Sequence, residues 1–121
     1  MKTHKDLEVW KNSIKLVTTI YSVTKSYPKE ELFGLTNQMR RAAVSIPSNI
    51  AEGAARNSSK EFIQFLHIAR GSLAELETQN LVSLNLNYLT EETFIQLETE
   101  MKTIGGQLSG LLRSLKEPKS L

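Results

Sequence analysis

A chain of 121 residues falls within the usual size of one domain and can bury a core without disulfides or metals to staple it. It contains no cysteine, so disulfides, a thiolate nucleophile and cysteine-ligated zinc are excluded. Its net charge of +2 is unevenly spread, with ten Lys or Arg against five Asp or Glu in residues 1–60 and five against eight in residues 61–121; such asymmetry suits nucleic-acid contact, subunits meeting head to tail, or mere solubility.

A first helix is predicted over Asp6–Ser26. Leu7, Trp10, Ile14, Val17 and Tyr21 step by three and four and define its expected core face, with Lys11, Lys15, Thr18, Ser22 and Lys25 on the opposite side. Pro28 ends it by disfavouring helical backbone at Tyr27. Pro28–Glu31 reads as a turn or a first helical turn, interrupted by Gly34. The second helix is predicted to start near Thr36 as N-cap, with Leu35, Met39, Ala42, Ile46 and Ile50 facing the core. Pro47 lies inside this pattern and deprives the Ala43 carbonyl of its helical partner, which predicts a kink or break.

The third helix has the clearest start, a capping box of Ser58 and Glu61. Phe62, Phe65, Leu66, Ala69, Leu73, Leu76 and Leu84 continue the period, and asparagines at Asn85 and Asn87 suit a left-handed end. The fourth begins at Thr90, with Glu91 and Glu92 opposing the positive end of its dipole. Phe94, Leu97, Met101, Ile104, Leu108, Leu111 and Leu115 keep the rhythm until Pro118. The connections are short, which predicts one all-α domain over 1–121, an antiparallel up-down-up-down four-helix bundle. Gly105, Gly106 and Gly110 each cost about 1 kcal/mol inside a helix, and close packing by a neighbouring helix or subunit is the expected compensation.

Most reaction chemistry is missing from the sequence. Di-metal bundles need Glu-x-x-His from two helices, but the residues three before His67 and His4 are Gln64 and Met1. His67 reads as a partly exposed helical residue rather than a ligand. The only aspartate is Asp6, which argues against a Ser-His-Asp triad, and no glycine-rich phosphate loop is present. Glu75 and Glu77, or Glu98 and Glu100, are spaced by two and do not share a helix face. The expectation is a non-enzymatic protein without cofactor, metal or small-molecule substrate. No apolar run reaches the roughly 20 residues of a spanning helix and Met1–Trp10 is charged, so a cytoplasmic, non-membrane protein is expected.

One constellation remains. Gln38, Arg41, Ser45, Asn49, Glu52 and Arg56 form a polar stripe beside the core stripe of the second helix, matched by Ser72, Glu75 and Gln79 on the third. A structural reading pairs Arg40 or Arg41 with Glu75 across the two helices and keeps Asn49 and Glu52 in the same polar seam. A functional reading puts Arg40, Arg41 and Arg56 on phosphate. Arg41 fits the structural role better, and Arg40 and Arg56 fit both.

These residues carry a resemblance. The run Tyr27–Gly53 contains Pro-x-x-Glu at Pro28–Glu31, Gly34-Leu35-Thr36, Gln38-Met39-Arg40-Arg41-Ala42, Ser45-Ile46-Pro47-Ser48-Asn49-Ile50 and Ala51-Glu52-Gly53, followed by Arg56. It resembles the signature of the four-helix-bundle proteins encoded by 23S rRNA intervening sequences. Ala69–Glu77 is similar to that family's second block and Leu7–Trp10 to its opening. The resemblance implies a four-helix bundle assembled as a homopentameric ring, related to the accessory variability proteins of diversity-generating retroelements, which engage nucleic acid and a reverse transcriptase. RNA, DNA or a nucleic-acid-handling protein is then a candidate partner beside the chain itself. Lys11, Lys15, Lys25, Arg40, Arg41 and Arg56 would line the basic surface, binding the backbone in a salt-sensitive way. No aromatic stacking platform is evident for reading single strands. In the alternative, a protein-assembly scaffold, the same charges are consumed between subunits.

Overall fold

Each periodic apolar segment folds as a helix in the computed structural model, which describes residues 3–117. The helices are α1 (Glu8–Thr24), α2 (Leu35–Ala54), α3 (Ser59–Asn85) and α4 (Glu91–Lys116), with short 3-10 turns at His4–Asp6 and Lys29–Glu31. The predicted stop at Pro118 lies outside the described residues.

The helix ends follow local chemistry. Ser58 Oγ accepts the Glu61 N–H at 3.2 Å, which is the first half of the predicted box. The reciprocal box is found instead at the first 3-10 turn, where Asp6 accepts the Thr3 N–H at 2.9 Å. Thr90 Oγ1 accepts the Thr93 N–H at 3.1 Å. Asn87 takes the left-handed conformation (φ 62°) that closes α3, and the next residue, Tyr88, donates its N–H to the Ser83 carbonyl at 2.9 Å. Thr36 is not the cap of α2. The Glu31 carboxylate does that work, accepting the Leu35 N–H at 3.1 Å and the Tyr88 hydroxyl at 2.9 Å. One side chain therefore caps α2 and ties its start to the turn between α3 and α4. Pro47 does not break α2, which runs unbroken from Leu35 to Ala54. Ile46, Pro47 and Ile50 are all buried, and their packing holds the helix through the lost bond.

The bundle is square. Among the described residues α1 packs on α2 and α4, α3 packs on α2 and α4, and the backbones of the diagonal pairs stay more than 8 Å apart. Ser45 meets Ser72 and Met39 meets Ser83, so α2 and α3 are antiparallel. Asn80 reaches the Phe94 carbonyl while Leu73 lies against Gly105, which sets α3 against α4 in the same way. The core is Leu16, Ile20, Met39, Ile46, Ile50, Leu66, Leu76, Leu97, Met101, Ile104 and Leu108, all essentially without solvent contact.

The predicted faces of α2, α3 and α4 point inward, but that of α1 is displaced. Val9, Ser13, Leu16, Ile20 and Thr24 are buried, whereas Ile14 and Tyr21 remain 40% and 42% exposed. The two stripes are offset by one residue, a rotation of about 100°. The inward stripe includes two hydroxyls that look polar in the sequence yet need no outside partner. Ser13 donates to the Trp10 carbonyl at 2.8 Å and Thr24 to that of Ile20 at 2.7 Å.

Within the protomer, no neighbouring helix makes the close approach expected at these glycines. A Cβ at Gly105 would lie 3.4 Å from Leu73 Cδ2, and at Gly106 or Gly110 it would meet nothing within 4 Å. The close approach is at Gly53 instead. Gly106→Ala and Gly110→Ala should each stabilise the bundle by about 0.5–1 kcal/mol, read from chemical denaturation, since each removes backbone freedom from the unfolded chain without meeting a neighbour.

Candidate interaction surfaces

The displaced stripe of α1 has a consequence at the surface. Trp10, Ile14 and Val17 face Val44, Pro47 and Ala51 of α2 across an open groove of about 280 Å³. His4 closes one end, its ring set edge-on to Trp10 with centroids 5.2 Å apart. Val44 is shared with a second hollow of about 420 Å³ lined by Tyr21, Asn37, Arg40 and Arg41. Together they make one trough along the α1–α2 seam, apolar at one end and cationic at the other.

A second groove of about 500 Å³ follows the polar stripe between α2 and α3, lined by Gln38, Arg41, Ser45, Ser72, Glu75 and Gln79 among others. Arg41 and Glu75 share it, but the predicted ion pair does not form. Among the described residues the ion pairs are Lys11–Glu8 at 3.5 Å and Arg56–Glu52 at 3.1 Å. Arg41 and Glu75 are both exposed and keep their hydration, and the helices are linked there by the Ser45–Ser72 hydroxyl pair at 2.8 Å. Asn49 donates to the Ser45 carbonyl at 2.8 Å and to its hydroxyl at 2.9 Å. Phe33 stands beside this groove, 91% exposed, and no period in Leu32-Phe33-Gly34 could have placed it.

The six candidate cations are not gathered on one surface. Arg40 Nε donates to Thr24 Oγ1 at 2.9 Å and its guanidinium lies 4.7 Å over the Tyr21 ring, next to Arg41 at the trough. Arg56 sits by Glu52 with its guanidinium 4.9 Å from the Phe65 ring centroid. Lys11 pairs with Glu8, and Lys15 turns toward α4, lining a small hollow with Glu100 and Thr103. Lys25 is exposed just beyond α1, at the opposite end from Lys11.

The α3–α4 face carries the opposite charge. Glu77, Phe94, Ile95, Glu98, Thr99 and Lys102 line a groove of about 530 Å³, with Ile95 and nearby Leu81 exposed. Among the described residues no three His, Asp or Glu side chains converge as a metal site would require, and no helix is long and apolar enough to cross a membrane.

An all-α four-helix bundle with open, mixed apolar and charged faces is the class these features define. The chain belongs to the 23S rRNA-intervening sequence protein family, whose model matches residues 5–110. The fold is also that of a crystal structure of a protein with unknown function from the S23 ribosomal protein family of Bacteroides thetaiotaomicron. The two share 23% identity with a TM-score of 0.80, over 87% of this chain and 95% of that one. No curated protein matches the chain.

Proposed function

We propose that this chain is a non-enzymatic, self-assembling bundle, whose α1–α2 trough docks on the acidic α3–α4 face of the next copy to build a ring. The observation that carries this reading is the trough itself, where Ile14 and Val44 are exposed between half-buried Trp10 and Val17 and the groove is continued by Arg40 and Arg41. Apolar surface of this kind, rimmed by charge, favours a protein partner.

A second copy supplies the matching chemistry. Helix pairing puts Ser45 opposite Ser72, and Asn80 opposite Phe94, so Arg41, Glu77 and Glu98 stand at similar heights on the bundle. Rotation about an axis parallel to the helices keeps height constant. It therefore brings Arg40 and Arg41 of one copy to Glu77 and Glu98 of the next, with Ile95 and Leu81 at the height of Tyr21 and Asn37. The two patches differ, so the contact is heterologous and closes as a ring when the rotation divides a full turn. The family resemblance favours five copies in that ring. Nucleic-acid association would follow from repetition of the remaining exposed cations around the ring, and it draws less support because Lys11, Arg40 and Arg56 already have partners within the protomer.

Sedimentation equilibrium across protein concentration and salt tests the assembly. The expected result is a discrete oligomer that weakens but persists at high salt, because the apolar part is unscreened. A monomer at every concentration removes the proposal.

A further inference from the structure

Where α3 begins and α4 finishes, three cationic side chains meet. His67 and Arg70 lie one turn apart on α3, with Arg70 Nη2 3.0 Å from His67 Nδ1. Lys116, in the last turn of α4, brings Nζ to 3.5 Å from His67 Nε2. A neutral imidazole accepts at one nitrogen and carries hydrogen on the other. One of the two donors therefore faces an N–H instead of a lone pair. Neither Arg70 nor Lys116 belongs to an ion pair of the described residues. Arg113 adds another cation one turn earlier on α4. The other charges on the ends of these two helices are Lys60 and Glu61 in the first turn of α3 and Glu117 beyond α4.

We propose that His67, Arg70 and Lys116 form a binding site for a phosphate-class oxyanion, either free phosphate or a phosphodiester of a polynucleotide backbone. An oxyanion seated among them accepts from the guanidinium and the ammonium at once, in the charge-assisted bonds that are strongest for such groups. It also gives the imidazole a reason to protonate and become a third donor. His67 is well placed to report this. Without an anion its pKa lies below the ordinary value, through partial burial first and then the charges of Lys116 and Arg70. All three side chains come from one protomer, so the site stands whether or not the protein assembles.

The test has two arms. In the first, the ring signals of His67 and His4 are titrated by NMR in chloride and in inorganic phosphate at matched ionic strength. Phosphate should raise the His67 pKa by about half a unit or more and leave His4 unmoved. In the second, a mixed-sequence single-stranded RNA is titrated by fluorescence anisotropy against the wild type, the Arg70→Gln/Lys116→Gln pair, and a Lys25→Gln/Lys29→Gln control that removes the same charge. All four side chains are exposed, and circular dichroism should show unchanged helix content in both variants. The first pair should lose about tenfold in affinity at low salt and the control little. A phosphate response alone assigns the site to free phosphate, and a selective RNA loss alone assigns it to a polynucleotide. No His67 shift, together with equal or no loss in the two variant pairs, overturns the site.

Discussion

Replacing Ile14 by glutamate should turn the proposed ring into monomers while leaving the bundle folded. Ile14 is 40% exposed and faces Val44 and Pro47 across the α1–α2 trough, outside the core. A carboxylate there stays hydrated in the monomer and costs the fold little. In the proposed interface it would be buried against apolar atoms, a penalty of order 3 kcal/mol per contact and roughly a hundredfold in affinity. Every contact of a ring carries the change, so the loss is cumulative. Sedimentation should report a single 13.6 kDa species, with a circular-dichroism melt close to wild type. Leu16→Glu, two residues away on the fully buried stripe, should instead unfold the chain. A persistent Ile14→Glu oligomer would move the interface to another face. The charge component has its own check: Arg41→Glu should weaken association, and adding Glu77→Arg with Glu98→Arg should restore it.

Gly53→Ala should cost the bundle about 2 kcal/mol. A Cβ built there would lie 2.7 Å from Phe65 Cβ, 2.8 Å from Phe62 Cδ1 and 3.3 Å from the Phe62 carbonyl oxygen. The first and last of these atoms sit on or next to the α3 backbone, so no side-chain rotation relieves them. α2 and α3 would have to part near the turn that joins them. Overpacking of this kind costs about 3 kcal/mol, offset by about 1 kcal/mol from the better helix propensity of alanine. For a domain this size the melting temperature should fall by roughly 5–10 °C. An unchanged melt would mean that the helices separate freely, and that the close approach does not hold them.

His67 adds a pH dependence of known sign. Its pKa is lower in the folded state than the ordinary 6.5, so the unfolded chain binds the proton more readily. The contribution is complete above that ordinary value and is lost as pH falls through and below it. Lys116→Gln should raise the pKa, seen directly in the NMR titration.

Much of the fold was legible in the residues because its causes are local. A three-four apolar period, a Ser58 or Thr90 hydroxyl before a helix and an asparagine at the end of α3 act within one or two turns. The resemblance carried chiefly by Tyr27–Gly53 added the family, which the match over residues 5–110 establishes. The surfaces were less legible. Their residues could be named from the sequence, but not which of them would stand together. Arg41 and Glu75 were correctly set on facing stripes, yet exposure leaves them unpaired in a shared groove.

The sequence by itself determined four amphipathic helices, their order, their approximate ends and the absence of cysteine chemistry. Only the tertiary structure decided which of two adjacent stripes on α1 turns inward, since Ser13 and Thr24 satisfy their own hydroxyls and let a nominally polar face be buried. It also decided that Gly53, rather than Gly106 or Gly110, lies at the point of closest helix approach, and that His67 of α3 meets Lys116 of α4. Periodicity fixes a residue's angle on its own helix. How far each helix rotates toward its neighbours, and which distant side chains then touch, follows from packing the whole set of faces at once.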